Sequence, residues 1–308
     1  MQPIRNVAFV GMGAVGSIYA QCVLKNNPGA CAWAVVAQKE SYEKDPVTIN
    51  GEPILIDLKT KEEAGKKADL IIISVKWHQL SHATEEMVPF MGDDTQILSL
   101  LNGISSEEAL AQRFGWEHVL LSLGSGIDSN RTGHAVNMNR RGKILFGERR
   151  NENLSERAAR VKDFFESSRI PYEIPLDMEK AMWWKLMVNV GANQVSAVYG
   201  LSYGDLVAST QAMDKMRQAQ TEVIQVARAL GIALSQEDIT VWEEQLRSLS
   251  AQGRSSTLQD IDHKRKTEAD IFGGEICRLG QKAGVPTPVN AWLLEKIREM
   301  EKEYLTIG

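Results

Sequence analysis

Lys185, Asn189 and Asn193 recur at intervals of four residues. On an α-helix, at about 100° per residue, each such step drifts by only about 40°, so the three polar heads share one face. The residues between them, among them Leu186, Met187, Val188 and Val190, are mostly apolar, so this face sits in a segment otherwise suited to burial. A buried lysine needs a partner or a task, because an unpaired buried charge is too costly to keep. The chemistry on offer is proton donation and charge stabilisation by the lysine, beside neutral amides that can hold a hydroxyl or a carboxylate. The plain alternative is a polar stripe on the surface of an amphipathic helix.

A second set of chemistry-bearing residues lies near the N-terminus. Asn6-Val7-Ala8-Phe9-Val10 is a short apolar run, followed directly by Gly11-Met12-Gly13-Ala14-Val15-Gly16. A helical pattern continues to about Leu24, and a second apolar run spans Cys31 to Ala37. Strand, glycine turn, helix and strand in that order form the context in which GxGxxG binds a dinucleotide. Gly11 allows the tight turn, Gly13 the approach of a pyrophosphate to the helix N-terminus, and Gly16 the close packing of helix on strand. NAD sites place an acidic residue at the end of the second strand. Here that strand ends Val36-Ala37-Gln38-Lys39-Glu40, and Gln38 with Lys39 suits a 2′-phosphate, favouring NADP, although Glu40 stands close.

The elements that position these residues follow from the hydrophobic pattern. Asp69 to Val75 and Gln96 to Leu101 are continuous apolar runs of the kind seen in buried parallel strands. Lys76 and Asn102 end these runs at equivalent places, at the carboxyl edge where open α/β sheets bind ligands. A solvated strand end and an Asn-Gly turn are the ordinary readings of the two. Val47 to Leu58 suggests a small hairpin around Asn50-Gly51. His118 to Ser125 reads as a strand, His134 to Phe146 as one or two more at the sheet edge, Leu154 to Ser168 as a helix and Ile170 to Ile174 as a last strand. The fold class is therefore α/β: an N-terminal Rossmann-type doubly wound sheet in residues 1–176, then an all-α domain in residues 177–308. His78 and His82 lie four apart, but no third ligand is nearby and no metal site is expected.

In the second half, Met213 to Leu230 and Ser235 to Leu249 are long amphipathic segments. Ser256-Thr257-Leu258-Gln259 reads as a capping box with Ser256 as N-cap, opening a helix through Asp260 and Glu268 toward Ala283. Gly273-Gly274 would weaken or bend that helix in its middle, and a last helix covers Val289 to Tyr304. A serine at a helix N-terminus can also bind a carboxylate. Glu268 reads either as a surface acid or as a partner for Lys185.

A net charge of −5 argues against nucleic acid as a partner. No apolar run reaches the length of about 18 residues needed to span a membrane, and the first residues do not begin a signal peptide. Cys22, Cys31 and Cys277 are an odd number without a CxxC pair and read as reduced fillers in a cytoplasmic protein.

Taken in order, the motifs resemble those of the ketopantoate reductases (2-dehydropantoate 2-reductases) nearly end to end. They are Gly11 to Gly16, Ser74-Val75-Lys76, Leu101-Asn102-Gly103, Lys185-Leu186-Met187-Val188-Asn189 with Asn193, Ser255 to Asp260, Lys266-Thr267-Glu268, and Gly284 to Asn290. The resemblance implies an NADPH-dependent reduction of a small 2-oxo acid, ketopantoate, with Lys185 as general acid and Glu268 orienting it and closing the site. It implies that Lys76 and Asn102 meet the cofactor near the nicotinamide and that Asn189, Asn193 and Ser256 hold the substrate, with Asn102 and Glu268 bordering both ligands. Three departures stand out. Gln38 replaces an arginine for the 2′-phosphate, leaving that task to Lys39. Tyr203 replaces a substrate-side asparagine, and Gly273-Gly274 replaces an Asn-Gly pair. The competing readings are a reductase of another 2-oxo or 3-hydroxy acid and a dinucleotide sensor without turnover. The amphipathic C-terminal helices would serve a monomer or a homodimer equally well.

Overall fold

The computed structural model describes residues 2–305. The elements run β1 (Asn6–Val10), α1 (Ala14–Asn26), β2 (Cys31–Val35), α2 (Lys39–Lys44), β3 (Thr48–Ile49), β4 (Glu52–Pro53), β5 (Asp57–Lys59), β6 (Leu70–Ile73), α3 (Leu80–Met87), β7 (Gln96–Ser99) and α4 (Ser106–Phe114). After these come β8 (Val119–Ser125), β9 (Asp128–Thr132), β10 (Ala135–Arg140), β11 (Lys143–Gly147), α5 (Glu156–Ser167) and β12 (Tyr172–Glu173). The remainder is helical: α6 (Met178–Val188), a π-helical turn (Asn189–Asn193), α7 (Gln194–Tyr199), α8 (Tyr203–Ala208), α9 (Thr210–Ala229), α10 (Gln236–Ser248), α11 (Ser256–Asp262), α12 (Gly273–Ala283) and α13 (Pro288–Leu305). The chain forms two compact units that divide between Glu179 and Lys180, in the first turn of α6.

In the first unit, eight strands form one sheet in the order β12-β11-β8-β7-β6-β1-β2-β5. From β5 through β2, β1, β6 and β7 to β8 all pairings are parallel, which is the doubly wound order 3-2-1-4-5-6. Alternate side chains of each strand enter different layers: Val7 and Phe9 of β1 join Leu70 and Ile72 of β6 in one core, while Ala8 and Val10 join Ile71 and Ile73 in the other. That two-sided burial explains why the runs carry no polar alternation. β11 closes the far side antiparallel to β8, and β12 adds parallel to β11.

Two features differ from the sequence reading. The stretch from His134 to Phe146 splits between sheets: β11 joins the main sheet, whereas β10 pairs with β9 and β3 in a separate four-stranded sheet, β4-β3-β10-β9. The β3–β4 hairpin itself forms where expected, with Asn50 (φ 51°) and Gly51 (φ 83°) both left-handed as a two-residue turn of its kind requires. The helix expected from Ser256 to Ala283 is two helices, α11 and α12, separated by Lys264 in a left-handed conformation (φ 54°) and a 3₁₀ turn at Ala269–Ile271. Gly273-Gly274 therefore opens a helix and does not bend one.

In the second unit, α9 is the central helix. It packs against the π-helical turn, α12 and α13, and buries Met213, Met216, Ala219, Val223, Ile224 and Ala227. No helix among the described residues is long and apolar enough to cross a membrane.

Candidate active site

The glycine turn of the first unit is built by close contacts. Gly11 has φ 98°, and a Cβ there would lie 2.8 Å from Val75 Cγ1 and 2.9 Å from Ser74 O. A Cβ at Gly16 would lie 2.1 Å from Gly11 O and 2.4 Å from Ser74 Oγ. The Ser74 hydroxyl donates to Gly11 O at 2.8 Å, tying the end of β6 to the turn. Gly13 differs: the atoms nearest a Cβ there are Ser74 O at 3.8 Å and Arg131 Nη1 at 4.0 Å. Two glycines are thus required by the fold, while the third, the N-cap of α1, keeps a face open where a phosphate would meet the helix N-terminus. Ala14 and Val15 form the first turn of α1, half-buried, and Met12 is buried behind them. An open recess of about 230 Å³ beside this turn is lined by Met12, Tyr42, Glu43, Val47, Ile54 and Leu58, among others.

Arg131 was not visible to sequence reasoning. It sits on β9, donates from Nη1 to Met12 O at 2.9 Å and from Nε to Gly133 O at 2.7 Å. Those two bonds fix a guanidinium beside Gly13. No local pattern announces it, because the second sheet brings it to the turn through tertiary packing of β9 on α1.

Lys76 and Asn102 follow β6 and β7, both half-buried, and Gly103 after Asn102 is left-handed with φ 90°. Lys39 opens α2, one residue after its N-cap Gln38. Its ammonium contacts both oxygens of Glu63, at 3.0 and 3.3 Å. That hydrogen bond raises the Lys39 pKa from its ordinary value, and the backbone N–H of Thr60, then Lys39, lower that of Glu63.

In the second unit, Lys185 is half-buried in the last turn of α6. Asn189 and Asn193 do not continue that α-helix but occupy the π-helical turn that follows, a feature often found at functional sites. They still meet: Asn193 Nδ2 donates to Asn189 Oδ1 at 3.4 Å, and both side chains are buried. The same Asn193 amide donates to Ser256 Oγ at 3.2 Å, across 63 residues of sequence. The turn is seated by Gly191, where a Cβ would lie 2.5 Å from Gln220 Cγ on α9.

Ser256 is not the N-cap. That position belongs to Ser255, whose Oγ accepts from Leu258 N at 3.2 Å, and Gln259 turns back to Arg254 O at 2.9 Å. The shift by one residue leaves Ser256 exposed, with its hydroxyl oxygen accepting from the Asn193 side-chain amide, while the buried cap Ser255 donates to the Asn193 carbonyl at 3.5 Å. Glu268 is 6% exposed and stands immediately before the 3₁₀ turn that precedes α12. Its neighbour Thr267 is held by Glu301, which accepts from Thr267 N at 2.6 Å. Tyr203 begins α8, half-buried, with its N–H donating to Gly253 O at 2.8 Å. Gly273 abuts Gln194, to whose Oε1 its N–H donates at 3.2 Å, and a Cβ there would lie 2.4 Å from the same oxygen. A side chain at 273 would therefore have to displace the buried Gln194 amide.

Residues 7–151 match the family model described as ketopantoate reductase PanE/ApbA, and residues 177–301 match its C-terminal counterpart. The chain belongs to the ketopantoate reductase family. Members of this family are NADP-dependent oxidoreductases. Among curated relatives, the 2-dehydropantoate 2-reductase of Vibrio cholerae is 26% identical over 303 residues, covering 97% of this chain and 99% of that one. The enzyme of the same name from Aquifex aeolicus is 27% identical over 305 residues, covering 97% of each. In three dimensions the chain is similar to a ketopantoate reductase from Ralstonia eutropha, with a TM-score of 0.85 at 24% identity, covering 97% of this chain and 99% of that one. It is equally similar in fold to a D-mandelate dehydrogenase solved with NADH and anilino(oxo)acetate, with a TM-score of 0.86 at 22% identity over 97% and 99% of the two chains.

Proposed function

We propose that the chain reduces 2-dehydropantoate (ketopantoate) to pantoate with NADPH. The observation that carries this reading is the cluster in which Asn193 bridges Asn189 and Ser256, at 3.4 and 3.2 Å, just after Lys185 on the same run of helix. The amides and the hydroxyl are neutral, so they can hold a carboxylate or hydroxyl while leaving the charge of Lys185 for the reacting oxygen.

The first unit supplies the cofactor half. Gly13 leaves room for a pyrophosphate at the N-terminus of α1, and Arg131 adds a fixed positive charge beside it. Lys76 and Asn102, at the carboxyl ends of adjacent parallel strands, stand where the nicotinamide half of a dinucleotide is held in open sheets. The nicotinamide supplies the hydride when bound. Addition of hydride to a ketone leaves an alkoxide, and Lys185 protonates it and stabilises its charge as it forms. Glu268, buried in the same unit, orients the ammonium.

Two observations keep a second reading, a reductase of another 2-oxo acid. Tyr203 stands where the family carries a substrate-side asparagine, and the fold is shared with a dehydrogenase of an aromatic 2-hydroxy acid. The test is NADPH oxidation by the purified protein with ketopantoate against a panel of 2-oxo acids. A kcat/KM for ketopantoate of about 10⁴ M⁻¹s⁻¹ or more, above the rest of the panel, supports the first reading. Faster reduction of a different acid moves the substrate, and no turnover of any of them defeats both.

A further inference from the structure

We propose that Glu63 is a specificity-determining residue that sets how strongly this chain prefers NADPH over NADH. The inference rests on the dinucleotide reading of the glycine turn and concerns the corner where the adenosine ribose of such a cofactor sits, at the end of β2. The nearest acid in sequence after β2 is Glu40, five residues beyond the strand's end at Val35 and separated from it by Val36, Ala37, Gln38 and Lys39. The structure brings a second acid, Glu63, to this corner from the short turn that follows the neighbouring strand β5.

The register explains how. Val35 pairs with Lys59, and Val36 N donates to Lys59 O at 3.0 Å, so β2 and β5 remain side by side past their last paired residues. Lys39 lies four residues beyond Val35 and Glu63 four residues beyond Lys59, and their side chains meet. The carboxylate is also held from behind: Thr60 N donates to Glu63 Oε2 at 3.0 Å, closing a capping box over the short turn Lys61–Glu63. Glu63, although exposed, thus has its carboxylate directed to this corner by two partners, Lys39 and the Thr60 N–H. The charges around Lys39 are mostly of one sign, with Glu63, Glu43 and Asp57 all acting on it, while Lys59 is turned toward Asp57 at 3.6 Å and lies over the Trp33 ring.

The two ribose forms meet this corner differently. A 2′-phosphate must draw Lys39 away from Glu63 and stand near its carboxylate. Exposed ion pairs are weak, so the phosphate can win, though against like-charge repulsion. A 2′-hydroxyl needs neither step, because a carboxylate beside Lys39 can accept its hydrogen bond, as the acid at the end of the second strand does in NAD sites. Lys39 and Glu63 thus read the two forms in opposite directions. The wild-type chain uses both cofactors, with a preference for NADPH held down by Glu63.

The experiment is calorimetric binding of 2′,5′-ADP and of 5′-ADP to the full chain, wild type and Glu63→Gln, with KM for NADPH and NADH measured on the same preparations. The expected result is tighter binding of 2′,5′-ADP by about 2–5-fold in Glu63→Gln, with 5′-ADP unchanged or weaker and the KM ratio moving the same way. Lys39→Gln should weaken 2′,5′-ADP alone, which guards against a fold defect in the first variant. Parallel shifts of both nucleotides in Glu63→Gln, or no shift in either, overturn the proposal. Failure of the wild-type chain to bind either nucleotide would instead remove the dinucleotide reading beneath it.

Discussion

Asn193 and Ser256 are 63 residues apart in sequence and 3.2 Å apart through their side-chain polar atoms. The bond joins the π-helical turn to the first turn of α11, so two elements present one polar surface. Asn193→Ala should raise KM for the 2-oxo acid by about 10–100-fold, the scale of one or two lost hydrogen bonds to a charged group. KM for NADPH should stay within about twofold. Steady-state kinetics with each substrate varied separately checks this, and a larger effect on the cofactor would assign the turn to the other ligand.

Lys185→Ala should lower kcat by about 10²–10⁴, the usual contribution of a positioned general acid. Single-turnover reduction followed at 340 nm isolates the chemical step from product release. A loss smaller than about tenfold would take Lys185 out of the proton-donating role.

The glycines of the turn should separate cleanly by measurement. At Gly16 a Cβ would meet Gly11 O at 2.1 Å, so Gly16→Ala must move α1 away from β1. Overpacking of that kind costs about 1–3 kcal/mol, and the melting temperature should fall by several degrees. At Gly13 the nearest atom is 3.8 Å away and the backbone has φ −73°, which alanine adopts freely. Gly13→Ala should therefore melt near the wild-type temperature and yet bind NADPH at least ~10-fold more weakly, because a methyl group occupies the approach of the pyrophosphate. Equal melting temperatures for both variants would contradict the packing described.

Arg131→Ala should weaken NADPH and NADH by the same factor, about 3–20-fold, because a charge at the pyrophosphate does not see the 2′-position. Arg131→Lys should recover only part of the loss, since one ammonium cannot hold both Met12 O and Gly133 O while facing a phosphate. Calorimetric binding of both dinucleotides gives the answer. A preference created between them would place Arg131 elsewhere in the site.

How far these features can be read from sequence depends on the range of the interaction that creates them. β1, the glycine turn and α1 are adjacent in sequence, and their signal is local, so Gly11 to Gly16 can be placed directly. Lys185, Asn189 and Asn193 can be grouped by helical spacing, although nothing in that spacing reveals the π-helical turn, whose Gly191 packs closely on Gln220 of α9. Ser255 and Ser256 are chemically identical candidates for a cap, and only the completed fold decides which accepts from Leu258 N and which accepts from the Asn193 side-chain amide. Arg131 and Glu63 reach their sites through a second sheet and through strand register, and neither leaves a local pattern.

The first unit also carries a pH-sensitive tie outside the candidate site. Glu148 accepts from Arg157 Nε at 2.6 Å and Nη2 at 2.5 Å and from Ser155 Oγ at 2.8 Å, joining the end of β11 to the start of α5. The Arg157 hydrogen bonds, then that of Ser155, hold the Glu148 pKa below the ordinary carboxylate value, outweighing partial burial. A folded-state pKa below the unfolded one means that the stabilisation is fully present above the unfolded value of about 4.3. It is lost as pH falls through the lower folded value. Glu148→Gln should therefore cost about 1–2 kcal/mol at neutral pH, after allowance for screening of a partly exposed pair. Below about pH 4 the gap between the variant and the wild type should narrow. Urea unfolding of both proteins at about pH 7 and about pH 3.5 measures it, and a gap that widens on acidification would reverse the assigned sign.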